Sequence, residues 1–233
     1  RSSELFHIWV SDFAIETEEP QVFLRDPIRA LVKTEEGALV TRQDYLLRHF
    51  QMDPRNMRFG TDFAGWKGMD WEGNYWSKVW WLPIEGLKEA FMELAIQYLR
   101  DVRPRLMEAR FERGLGDHPY LFVSSGSARH EPGDESVGDP YTRSAWRSSW
   151  KRAFRRLQHL YPEDDLAPRK YSGTTPHGLR HLYGGALDQL GISKVILKKL
   201  MHHRDIRYTE LYSVPEHQEA HHILSEFANK LRS

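Results

Sequence analysis

The chain has 233 residues, 40% of them hydrophobic, enough for one substantial core or for a main domain with insertions. Eight Trp and no Cys exclude a disulfide framework and suit a reducing interior; with no run of about eighteen apolar residues and no signal-peptide pattern, a soluble cytoplasmic protein without membrane contact is expected. The net charge is zero, yet from Arg143 to Arg207 fourteen Lys or Arg stand against five Asp or Glu, a basic segment suited to phosphate contacts.

In chain order, Arg1-Ser2-Ser3-Glu4-Leu5 leads into an apolar stretch that reaches Asp12 and Phe13. Gln21 to Leu24 is strand-like, and Arg25-Asp26-Pro27 closes it, because proline cannot donate to a ladder and restrains the residue before it. Residues 28–59 read as a polar, partly helical insertion with Tyr45, Leu46, Leu47 and Phe50 as a short apolar face. Phe63 to Ile84 reads as a hairpin: a first arm to Met69, a turn around Glu72-Gly73-Asn74, and a second arm from Lys78. Leu87 to Leu106 has the period of an amphipathic helix through Phe91, Leu94, Ala95 and Leu99, and is expected to serve the core. After Pro119 to Ser124, the stretch from Ser125 to Pro140 is rich in Gly, Ser and charge and reads as a mobile loop.

The next helix carries Trp146, Trp150, Phe154, Leu157 and Leu160 as a stripe expected to pack in the core. Arg143, Arg147, Lys151, Arg152, Arg155 and Arg156 occupy the rest, and are candidates for DNA backbone phosphates, which give affinity and salt dependence but no sequence reading.

The chemistry concentrates between Thr174 and Tyr212. Thr174 or Thr175 can cap a helix that begins with Pro176, where a missing N–H costs nothing, and Gly191 ends it. His177, Arg180 and His181 stand at i, i+3 and i+4, so the helix start presents cationic or ionisable groups beside unpaired N–H donors, a face that attracts phosphate. Ser193 can cap a second helix to Leu200, after which His202 and His203 sit in a turn, and Tyr212 follows nine residues past His203. A metal site built on the His177/His181 pair and the His202/His203 doublet is the rival reading; the lack of Cys and of a His-Glu-x-x-His run, and Arg180 between the imidazoles, disfavour it.

These residues resemble the tyrosine recombinases, or phage-type integrases. Thr175-Pro176-His177-Gly178-Leu179-Arg180-His181, Leu200-Met201-His202-His203 and Tyr212 are similar to that family's T-P-H-x-L-R-H and L-L-G-H boxes and its nucleophilic tyrosine. The opening residues resemble its R-x-S-E-L box, the second arm from Lys78 to Ile84 its R-x-V-P-L strand, and Pro119 to Ser124 its Y-L-F-P-S segment. His202 stands where the family usually has Gly, Gly178 where Asp is common, and Val123 where the last segment has proline.

The resemblance implies an α+β fold: a mostly helical catalytic domain with a small antiparallel β-sheet, spanning 1–233. It also implies that the family's helical DNA-clamping domain and the start of the catalytic domain lie upstream. A terminal helix over 216–231, with Ala220, Ile223, Leu224, Phe227 and Leu231 as its stripe, would dock on a neighbouring protomer or on its own domain.

The implied activity is site-specific recombination of double-stranded DNA for a mobile element, with four protomers assembled on the DNA and neither metal nor cofactor. Tyr212 would attack a phosphodiester and form a 3′-phosphotyrosyl link. A tyrosine hydroxyl, with a pKa of about 10, needs nearby cations or a base for this. Arg1 and Arg180 would hold the non-bridging oxygens, His203 would add a donor, His177 would assist proton removal, and Lys67, or else Lys78, would protonate the leaving oxygen. Related readings are a type IB topoisomerase and a non-catalytic DNA-binding relative.

Overall fold

The computed structural model describes residues 3–15, 21–126, 136–167 and 174–203, with the backbone alone at 181, 188 and 189. In chain order the strands are β1 (Phe13–Ala14), β2 (Gln21–Arg25), β3 (Leu31–Lys33), β4 (Leu39–Thr41) and β5 (Trp76–Lys78). The helices are α1 (Arg42–Phe50), α2 (Leu87–Gln97), α3 (Arg103–Glu112), α4 (Arg143–Leu160), α5 (Pro176–Gln189) and α6 (Lys194–Leu200). The described residues thus form a mixed α+β structure with small antiparallel sheets, and none of their helices is long and apolar enough to cross a membrane.

Alternation along β2 turns Val22 and Leu24 inward, and this strand is the centre of the sheet β1-β2-β5. Phe13 pairs with Val22 on one side and Ser77 with Leu24 on the other. Val22, Leu24 and Phe13 then meet Ile8, Met69, Met92 of α2 and Leu121 in the main core cluster. The expected hairpin over 63–84 is therefore not what forms. Residues 63–71 carry no strand, Gly68 breaks them at φ 68°, and the second arm is the shorter β5, whose partner is β2. The turn does lie where expected, closed by the amides of Glu72 and Gly73 on the Trp76 carbonyl at 3.0 and 3.3 Å.

Residues 28–59, expected as an insertion, are woven into the structure. β3 and β4 form a separate hairpin, and Thr41 caps α1 by accepting from the Asp44 amide at 3.1 Å. Of its expected apolar face, Leu46 is buried against Trp9 and Tyr120, whereas Leu47 is exposed. Arg42, fully buried, donates from Nη2 to Asp12 Oδ2 at 2.6 Å, and its guanidinium lies 3.9 Å over the Trp9 ring. Asp12 also accepts the Trp9 amide at 2.8 Å and meets Arg25 Nε at 3.1 Å, so one carboxylate fastens the first segment, β2 and α1.

The helix expected over 87–106 runs on to Glu112, with a π-turn at Tyr98–Val102. Pro104 gives the reason: it has no N–H for the Arg100 carbonyl, and its ring would strike that carbonyl in a regular α-helix. Leu94, expected in the core, is 66% exposed, and Met92 is buried in its place.

Helix α4 begins where Thr142 accepts the Ala145 amide at 3.2 Å. Its stripe is less buried than expected: no residue of α4 is buried, and Leu160 is 68% exposed. Trp146, Trp150 and Phe154 instead form an aromatic ladder, with centroids 5.5 and 4.8 Å apart, whose first ring meets Phe6 edge-on at 6.3 Å. Trp150 Nε1 donates to the Thr174 carbonyl at 3.1 Å, so α4 links the first segment to the start of α5. Arg1, Tyr212, most of the expected loop and the 216–231 tail lie outside the described residues.

Candidate functional site

The local signals around α5 and α6 act as the sequence predicts. Thr175 Oγ1 accepts the Gly178 amide at 3.1 Å, which settles the cap on the second threonine; the Thr174 carbonyl is engaged by Trp150. Gly191 takes φ 77° and ends α5, with the Ile192 amide returning to the Leu187 carbonyl at 3.2 Å. Ser193 Oγ accepts from the Ile196 amide at 3.4 Å at the start of α6. Trp80, Leu187, Ile192, Ile196 and Leu200 pack in a second core cluster, which holds the two helices together and against the residues after β5.

The end of α6 is a Schellman turn: the His203 amide donates to the Lys198 carbonyl and the His202 amide to the Lys199 carbonyl, each at 3.0 Å. Such a turn requires a left-handed residue, and His202 takes φ 52°. The departure from glycine at this position therefore leaves the turn intact. A left-handed non-glycine residue costs about 1 kcal/mol or somewhat more.

Arg180 lies on α5 half-buried, and its Nη2 donates to the Met201 carbonyl at 2.6 Å. That bond ties the middle of α5 to the turn that carries His203. Gly184 permits the approach, since a Cβ there would meet the Met201 sulfur at 3.0 Å. His177 is exposed on the first turn of α5, one turn before Arg180, and His203 is half-buried.

The structure thus brings Arg180 and His203 to one turn, with His177 on the same helix as Arg180. Lys67 is exposed in the strand-free stretch beside Gly68, and Lys78 lies in β5 opposite Phe23. Neither is joined to Arg180 or His203 by a hydrogen bond, ion pair or ring contact among the described residues. Among those residues, too, no three His, Cys, Asp or Glu side chains converge as a metal site.

The basic helix presents Arg143, Arg147, Lys151, Arg152, Arg155 and Arg156 on exposed positions. Lys151, Arg152 and Arg155 line a cleft of about 690 Å³ whose other walls are rich in hydroxyls, including Thr61, Ser124 and Ser136. The two acids that line the cleft face other arginines: Asp139 pairs with Arg110, and Asp62 lies 4.0 Å from Arg58. The cleft is cationic, and phosphate oxygens suit its donors.

The tertiary structure adds one side chain that sequence reasoning passed over. Tyr183 lines, with Glu4, Arg180 and His202, a largely apolar cavity of about 400 Å³ between the sheet and the α5–α6 pair. Burial pushes the Tyr183 hydroxyl well above its ordinary pKa, and nearby Arg180 offsets this in part. The signal for Tyr183 was its i+3 spacing from Arg180, which places both on one helix face. No protein-family model, curated protein or solved structure matches this chain.

Proposed function

We propose that the chain is a tyrosine-type DNA strand transferase, a site-specific recombinase that cuts and rejoins DNA through a 3′-phosphotyrosyl intermediate. The observation that carries this reading is the 2.6 Å bond from Arg180 to the Met201 carbonyl, which sets a guanidinium beside the turn of His203. A phosphate in this neighbourhood gains a planar guanidinium fork and an imidazole donor, the groups that stabilise charge building on non-bridging oxygens. Tyr212 lies nine residues past that turn in sequence and is the nucleophile in this reading, with His177 assisting its deprotonation. Arg1 is the second phosphate clamp and Lys67 the acid for the leaving oxygen; His181 supports the site.

The cationic cleft and the exposed face of α4 hold the flanking DNA backbone, and four protomers assemble on the duplex. The tyrosyl link conserves the energy of the broken phosphodiester, so rejoining to another strand completes recombination.

The deciding experiment is covalent trapping on a nicked duplex taken from the ends of the DNA element that encodes the chain, comparing wild type with Tyr212→Phe in chelator. An adduct that survives denaturation, tolerates chelator and disappears in the mutant is expected. If the full-length protein binds this DNA and forms no adduct, the catalytic reading fails.

A further inference from the structure

The loop from Arg55 to Ala64 stands beside the cationic cleft and has no part in the strand-transfer reading. The Ala64 amide closes it by donating to the Arg55 carbonyl at 3.0 Å, and Gly60, left-handed at φ 66°, turns the chain at its tip. The buried Arg55 side chain pins it further, donating from Nη1 to the Tyr141 carbonyl at 2.7 Å and from Nε to the Asp62 carbonyl at 3.1 Å. Arg58 Nε donates to the Asp53 carbonyl at 2.7 Å. Tyr141 and Asp62 are both walls of the cleft.

Phe59 sits at the tip and is 92% exposed, the most exposed of the large apolar residues described. A single exposed apolar residue is ordinary, and here its place decides. Thr61, two residues on, lines the cleft, so the Phe59 and Thr61 Cα atoms are at most about 7 Å apart. A duplex whose phosphates meet Lys151, Arg152 and Arg155, with a major groove about 12 Å wide, is broad enough to reach the tip. An anionic membrane would also suit cations beside an exposed ring. These cations, however, line a concave cleft of about 690 Å³ among hydroxyl donors, which a phosphate backbone can enter and a bilayer surface cannot.

We propose that Phe59 is a DNA wedge: with the backbone seated in the cleft, its ring enters a base step, parts the stacked pairs and kinks the duplex. The wedge deepens the DNA-holding part of the strand-transfer reading, on which it rests, and uses none of its chemistry. Entry costs the stacking of one step, so a step already opened is favoured.

The test uses the full chain and two duplexes of one sequence, one fully paired and one with a single unpaired base beside a 2-aminopurine, whose fluorescence rises when it is unstacked. At equal salt the bulged duplex is expected to bind about tenfold more tightly than the paired one, with a rise in fluorescence on binding. Phe59→Ala, at a position too exposed to disturb folding, should remove both effects and leave affinity for the paired duplex nearly unchanged. Phe59→Trp, which keeps a flat ring, should retain them. Equal affinity of the wild type for the two duplexes, or a preference that survives Phe59→Ala, overturns the wedge. If Tyr212 forms its adduct in that case, the strand-transfer reading stands; if the chain binds neither duplex, the wedge and the DNA-holding reading fall together. Binding to phosphatidylserine vesicles that is lost in Phe59→Ala overturns the wedge in favour of a membrane contact.

Discussion

At the scale of single residues, Arg180 is where fold and proposed chemistry meet. Its bond to the Met201 carbonyl fixes the planar guanidinium beside the turn of His203, and a guanidinium fork matches phosphate geometry. Arg180→Lys keeps the charge and loses that geometry. The expected result is a 10²–10³-fold slower formation of the covalent adduct, on the scale of losing one preorganised donor, with DNA affinity changed much less. Single-turnover trapping rates and a filter-binding titration on the same protein would separate the two, and an unchanged adduct rate would remove Arg180 from the site.

Gly138 shows how local strain and packing combine. It takes φ 77°, and a Cβ there would lie 2.4 Å from the Leu106 backbone carbonyl oxygen. Gly114 takes φ 75° with open space around it. Gly114→Ala should cost about 1 kcal/mol, the backbone effect alone, and Gly138→Ala at least about 3 kcal/mol, since helix α3 cannot yield as a flexible side chain would. Urea unfolding of the two variants compares these costs directly.

At the scale of elements, α4 joins two tasks. Its aromatic ladder bridges Phe6 and the start of α5, each ring pair adding about 0.5–1.5 kcal/mol beyond burial. Its basic residues recur at i, i+4 through Arg143, Arg147, Lys151 and Arg155. Like charges at that spacing destabilise an isolated helix by a few tenths of a kcal/mol per pair, a cost that bound phosphates would relieve. Replacing Lys151, Arg152 and Arg155 by Gln should therefore leave helix content unchanged by circular dichroism. It should also lower the slope of log affinity against log salt on duplex DNA by about 3, close to one unit per lost phosphate contact. A slope equal to wild type would mean that these side chains meet no phosphate.

At the scale of the whole molecule, two buried histidines couple folding to pH. Burial, with the Arg55 guanidinium near, pushes the His7 imidazole down to about 3. Burial, with Arg110 and Arg103 close by, pushes His118 down to about 4, and its Nε2 lies 2.9 Å from the Gly138 carbonyl. Both folded values lie below the ordinary 6.5. The unfolded chain binds protons that the folded chain refuses as pH falls from about 6.5 to about 4 and 3, so stability is full above this window and declines through it. The loss is on the order of 3 kcal/mol for His118 alone. Midpoints of urea unfolding at pH 7 and pH 4.5 should differ in that direction, and His118→Gln, which keeps a donor near the Gly138 carbonyl without titrating, should flatten the difference.

How far the sequence reaches is set by the range of the interactions involved. The caps at Thr175 and Ser193, the stop at Gly191 and the periods of α4, α5 and α6 were legible because each rests on hydrogen bonds or apolar contacts within a turn or two. The same short range made the order and spacing of His177, Arg180, His203 and Tyr212 visible. Burial of the α4 stripe and of Leu94 was overstated, because a period marks an apolar face without saying what covers it. The partner of β5 could not be read locally, since a strand with one alternating face fits a sequence neighbour or a distant strand equally well, and here β2 takes it. Only the folded chain set Asp12 against Arg42 and turned Arg180 onto Met201. Each joins residues far apart in sequence, and whether such groups meet depends on how whole elements pack.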